Sequence, residues 1–210
     1  MKERPILFGA TMVRAILADS KTQTRRAKAL EYFSRPENDP EGWWCARVAD
    51  GVAYMVYKNA PHERAVRCPY GQPGDRLWVR ETWAAFDADW RHPGKPADLR
   101  DGPWPNVAYA ADGDFPLGAG RPSIHMPRWA CRLALEVTGV RVERLQAIDS
   151  ADAIAEGVGL NPSAADVSTT SPEGESLPRV MFRALWEQIN GAGAWCANPW
   201  VWVIEFRRIR

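Results

Sequence analysis

Histidine is scarce in this chain, with three residues in 210, and cysteine is hardly commoner: Cys45, Cys68, Cys131 and Cys196 lie scattered. No two cysteines stand in a C-x-x-C spacing and no histidine lies at helical distance from any of them, so neither a zinc site nor a redox dithiol is indicated. The cysteines read as small buried hydrophobes, and no metal and no cofactor is expected. Long apolar runs are missing too. Met1-Lys2-Glu3-Arg4-Pro5 leads only into a very short apolar stretch, which gives no membrane span and no signal peptide, and the expectation is a cytoplasmic protein with no membrane partner. A strong charge of one sign is also lacking: the formal net charge is +1. Proteins that grip long nucleic acid through its phosphates carry a markedly basic balance, so a nucleoside or a short RNA single strand fits better.

What is present is an ordinary folded composition, 46% hydrophobic and 25% charged, which excludes disorder of the whole chain. Its length suits one domain spanning 1–210, with insertions at about 27–70, 86–105 and 159–178. Charge is unevenly spread. Residues 145–178 hold Asp149, Asp152, Glu156, Asp166, Glu173 and Glu175 without one Lys or Arg, whereas the chain ends Arg207-Arg208-Ile209-Arg210, a modest phosphate patch.

Strand signals dominate. Ile6 to Phe8 reads as a short buried strand, followed by a helix carrying Met12, Val13, Ile16 and Leu17. Trp43–Val48 and Val52–Tyr57 flank Asp50-Gly51 and read as a hairpin. Leu77–Trp83 reads as a central strand, 87–105 as a surface loop, Asn106–Ala110 as extended, and Ala130–Glu143 as one long strand or two joined at Gly139. Ile148–Glu156 is expected to be a helix capped by Asp149 or Ser150 and stopped by Gly157. Residues 159–178 read as mobile, Val180–Asn190 as an amphipathic helix, and Pro199–Phe206 as the strand that closes the sheet. The sum is a mixed α/β, mostly antiparallel barrel with flanking helices.

The densest polar segment is Lys21-Thr22-Gln23-Thr24-Arg25-Arg26, at the hand-over from helix to strand. Alternation places Thr22 and Thr24 on one face and Gln23 and Arg25 on the other, so a hydroxyl row can line a pocket while an arginine row meets solvent or phosphate. Lys21 precedes the alternation and is free to lean toward Thr24. A solvated basic turn ending the helix is the competing reading.

This segment, with Ile6-Leu7-Phe8 and the helix before it, resembles the start of an ASCH domain, a small barrel of the PUA-like superfamily. Gly74-Asp75-Arg76-Leu77-Trp78-Val79, Ala134 to Val140, and Trp202-Val203-Ile204-Glu205-Phe206 continue the pattern in order, separated by long insertions. The resemblance implies an amidohydrolase that removes acyl groups from the exocyclic amine of N(4)-acylcytidine-type nucleosides, or alternatively an RNA-binding module or ribonuclease. In the amidohydrolase branch it implies catalysis by Lys21, Thr24 and Glu156. Thr22, Arg25, Arg26, Trp78, Glu81, His125 and Trp129 are the candidate substrate contacts. Two schemes stay open: Thr24 as nucleophile with Lys21 as its base and Glu156 protonating the leaving amine, or a charged Lys21 stabilising the oxyanion while Glu156 activates water.

Eleven tryptophans against six phenylalanines is unusual. Trp78, Trp83, Trp186, Trp200 and Trp202 fall in strand or helix patterns and read as core anchors. Trp104, Trp129 and Trp195 lie in loop contexts and read as ligand walls. His125, in Ser123 to Trp129, reads equally as a loop histidine or a ligand contact.

Overall fold

The structure is a computed structural model that describes residues 1–58, 60, 63–95, 103–158 and 174–209. His62, Asp166, Glu173, Arg210, residues 96–102 of the expected surface loop and residues 159–173 of the expected mobile stretch lie outside the described residues.

Strands carry the architecture. The main sheet has five, in the order β1 (Glu3–Leu7), β6 (Arg76–Arg80), β9 (Ala134–Arg144), β10 (Trp200–Arg208) and β2 (Gln23–Arg26). Only β1 and β6 run parallel; the other pairs are antiparallel. The hairpin β3 (Trp43–Ala49) and β4 (Val52–Tyr57) is extended by β5 (Glu63–Arg67), and β7 (Trp83–Phe86) pairs with β8 (Asn106–Tyr109). Among the described residues three α-helices complete the fold: α1 (Ala10–Leu17), α2 (Ser150–Ala155) and α3 (Leu177–Asn190).

The protein is therefore mixed α/β, with its strands in three sheets. Among the described residues no ladder joins β1 to β2, so the main sheet keeps two edges. A side chain spans that gap: Arg26 Nη2 donates to the Leu7 carbonyl at 2.8 Å. The last strand, expected to close the sheet, instead runs inside it between β9 and β2. Buried on both sides, Trp200 to Ile204 form the continuous apolar run that an interior strand requires.

Several local readings meet a tertiary constraint. Asp50 and Gly51 both take positive φ, the conformation a tight hairpin turn needs. The expected strand Leu77–Trp83 is cut into β6 and β7 at Glu81-Thr82, because the Glu81 carboxylate is buried against Arg132 and its N–H goes to Met126 Sδ rather than to a neighbouring strand. β9 runs through Gly139 as one strand but bulges beside it: Gly139 pairs with Glu205 and Val137 with Phe206, which leaves Thr138 as the extra residue, and a Cβ on Gly139 would strike Glu205. Sequence patterning overlooked β5, whose residues Glu63-Arg64-Ala65-Val66-Arg67 are mostly exposed, as a charged edge strand can be. Trp83 and Trp202 are fully buried and Trp186 and Trp200 nearly so, whereas Trp78 is only half-buried beneath Arg80 and Arg128.

Candidate functional site

The backbone at Lys21-Thr22 is held from three sides. Lys21 N–H donates to Ala15 in α1, Thr22 N–H to Ala155 at the end of α2, and Phe206 N–H of β10 to the Thr22 carbonyl. Lys21 and Glu156 thereby face each other as an isolated antiparallel bridge. The next residue, Gly157, has φ +79°, and a Cβ there would lie 2.9 Å from the Cβ atoms of both Ala15 and Lys21. Glycine serves twice here, for its conformation and for its lack of bulk, so α2 can end directly against Lys21. Asp149 caps the start of that helix by accepting from Asp152 N–H at 2.7 Å.

This arrangement fixes the Lys21 amine. Nζ donates to the Gln23 carbonyl (2.8 Å), the Glu156 carbonyl (2.8 Å) and Glu156 Oε2 (2.9 Å), with both side chains almost fully buried. Three acceptors match the three N–H bonds of an ammonium, whereas a neutral amine would turn its lone pair toward an oxygen. Burial pushes the Lys21 pKa below the ordinary lysine value; the Glu156 carboxylate opposes that shift, and the charges of Arg26 and Arg25 add to it.

Arg25 holds the other side of Glu156. Its guanidinium is completely buried and donates to Glu156 Oε1 at 3.2 Å, to Glu143 and to Asp152. The expected arginine row facing solvent is thus overturned: Gln23 and Arg25 point into the packing under α2, where Gln23 Nε2 donates to the Asp152 carbonyl. Asp152, in the first turn of α2, receives both Arg25 and Arg141. Burial raises its pKa, but those two guanidiniums hold it below the ordinary 3.8. Folding lowers this pKa, so the stabilisation is complete above the unfolded value and is lost as pH falls through the folded one. The urea midpoint should therefore fall on acidification, and Asp152→Asn should flatten that decline; an equally steep decline in the variant would contradict the pairing.

Lys21, Thr24 and Glu156 line one cleft, about 520 Å³ including its open mouth, together with Arg25 and Arg26. Its apolar wall comes from Phe8, Met12 of α1, and the α3 residues Phe182, Leu185, Trp186 and Ile189. Thr24 is buried, but its hydroxyl is not among the partners of Lys21 Nζ. Thr22, expected beside it, is exposed and does not line the cleft. Arg26 does, with its guanidinium 5.3 Å from the centre of the Phe8 ring.

The remaining expected contacts lie elsewhere. Trp78 is in β6; Glu81 is buried and bound by Arg132 at 2.9 and 3.0 Å; His125 is exposed; Trp129 packs edge-on against Trp83. None lines the cleft. Trp104 packs against the cluster around Trp83, and Trp195 is buried against Phe182 while lining a separate pocket with Val180 and Arg183, so neither walls this cleft. The aromatic surfaces at the cleft are Phe8, Phe182 and Trp186, which sequence patterning assigned to the core or passed over. One available signal was Ile189, apolar on the helical stripe yet 61% exposed at the cleft mouth. Of the C-terminal arginines, Arg207 pairs with Glu136 and Arg208 with Asp19, while Arg210 lies outside the described residues.

No family model, curated protein or solved structure matches this chain. Among the described residues no helix is long and apolar enough to cross a membrane.

Proposed function

We propose that the cleft hydrolyses the acyl amide of an N(4)-acylcytidine-type nucleoside, the activity implied by the ASCH and PUA-like resemblance. The observation that carries this reading is the convergence of Lys21, Thr24 and Glu156 from α1–β2 and α2 on one cleft with aromatic walls. Phe8 and Trp186 both line the cleft and offer aromatic faces to a planar pyrimidine.

Of the two schemes, three-fold donation by Lys21 favours the one in which the amine stays charged. Lys21, its three N–H bonds already given to Gln23 and Glu156, then stabilises the negative charge developing on the acyl oxygen through its positive charge, while Glu156 takes a proton from the attacking water and returns it to the departing exocyclic amine. Water adds to the acyl carbon, the C–N bond breaks, and a carboxylic acid and cytidine leave. Both Glu156 oxygens are engaged, one by Lys21 and one by Arg25, but each keeps a second lone pair for the water. Thr24 supplies a hydroxyl to orient substrate or water. Glu143, Asp152 and Glu156 are already bound by Arg25, so chelator is expected to leave the activity intact.

The test is cytidine release from N(4)-acetylcytidine, followed against pH and beside cleavage of a labelled RNA. If the ammonium is required, the rate falls as pH rises through the lowered Lys21 pKa, below the ordinary 10.5. If Lys21 were the base, the rate would climb over the same range. RNA cleavage without cytidine release would sink the amidohydrolase reading.

A further inference from the structure

A second cavity, about 470 Å³ with its open mouth, lies at the start of β1, beneath the β3–β4 turn. Its lining includes Lys2, Arg4, Arg67, Cys68, Gly71 and Asp75. We propose that this cavity binds a phosphoryl anion, a reading that does not rest on the activity assigned to the first cleft.

Three cations converge there without an ion pair. Among the described residues no carboxylate pairs with Lys2, Arg4 or Arg67, although ion pairs occupy many of the protein's other arginines. Arg4 Nε is buried and has no hydrogen-bond partner. A buried guanidinium N–H left without an acceptor costs free energy unless a ligand satisfies it, and an arginine fork suits a phosphoryl group. Gly71, at φ +103°, opens the way: a Cβ there would approach Asp75 within 2.8 Å and Arg4 Nε within 3.3 Å.

Of the groups that could cancel this charge, Asp75 is occupied, Cys68 is neutral and Asp50 makes no ion pair among the described residues. Burial raises the Asp75 pKa, but the backbone N–H groups of Lys2 and Gln72, which use the carboxylate at 2.7 and 3.4 Å, bring it below the ordinary carboxylate value with smaller help from the charges of the N-terminal amine and Arg4. Burial pushes the Cys68 thiol up to about 11, so it adds no thiolate. Asp50 also lines the cavity, from the exposed β3–β4 turn, and forms no ion pair with Arg4 or Arg67. Two carboxylates thus face three cations, and the unpaired guanidiniums remain available for an acceptor.

Calorimetric titration of the full chain with inorganic phosphate tests the site, beside a short oligouridylate carrying either a 5′-phosphate or a 5′-hydroxyl. Saturable phosphate binding is expected, weakened about tenfold in Arg4→Gln and in Arg67→Gln, as the loss of one charge-assisted hydrogen bond predicts. Arg67 is exposed on an edge strand, so its replacement leaves the fold intact even if Arg4→Gln does not. Phosphate binding as tightly as either oligonucleotide identifies a small phosphorylated ligand. Tighter binding of both oligonucleotides identifies the phosphodiester backbone as the source. No saturable binding of any probe, or wild-type affinity in Arg67→Gln, overturns the site. So does phosphate binding lost in Lys21→Met but kept in Arg67→Gln, which would place the anion in the first cleft.

Discussion

Lys21→Met is expected to lower the rate of cytidine release by about 10²–10³-fold, the usual loss when one preorganised group that stabilises a developing oxyanion is removed. Methionine keeps much of the side chain's length and fills the space beside Phe8, over whose ring the Lys21 ammonium sits at 5.5 Å. Glu156 is not abandoned, because Arg25 still donates to Oε1. The Gln23 and Glu156 carbonyls each lose a donor, so stability should fall by about 1–3 kcal/mol, short of unfolding. The prediction is a fall in kcat with KM little changed, in a protein whose circular dichroism matches wild type. Undiminished turnover would remove Lys21 from the chemistry. Thr24→Val separates the two schemes in the same assay: a loss as deep as that of Lys21→Met would restore Thr24 as nucleophile, whereas a loss of about tenfold fits an orienting hydroxyl.

Arg25→Met should cost more stability than any surface change, about 3–5 kcal/mol, because it leaves buried carboxylates without their shared counter-charge. Glu143 and Asp152 keep Arg141 and Glu156 keeps Lys21, but one completely buried guanidinium now separates all three acids. That loss is a large share of the stability of an ordinary domain. Arg25→Lys should rescue little, since one ammonium cannot reproduce a fork that reaches three partners. Adding Asp152→Asn to Arg25→Met should recover part of the loss by removing one of the crowded charges. Urea denaturation measures the loss; a variant as stable as wild type would mean that the network carries no net stabilisation.

Much of the site was legible in the chain because it is local. Lys21 and Thr24 stand in one six-residue cluster at a helix-to-strand junction, and Asp149 and Gly157 bracket α2 with ordinary cap chemistry. The uneven charge pointed the same way: the acidic stretch after residue 145 supplies Asp152 and Glu156 to the basic Lys21 and Arg25. Trp78, Glu81, His125 and Trp129 were assigned on residue type and neighbourhood, and neither property reports which cavity a side chain can reach. Arg25 was misplaced for a related reason. Alternation along β2 correctly separates it from Thr24, but it does not say which face another element covers.

By itself the sequence determined the hairpin at Asp50-Gly51, the two amphipathic helices α1 and α3, the apolar run of β10 and the spacing of the polar cluster, all set by residues within a few positions of one another. Only the tertiary structure decided that Glu156, 135 residues beyond Lys21, meets its amine at 2.9 Å. It likewise decided that α2 covers the Arg25 face of β2 and that α3 lends Phe182 and Trp186 to the cleft wall. Those placements depend on how helices pack across strands brought together from distant parts of the chain, a choice settled by burial of whole apolar faces and by the need to pair every buried charge.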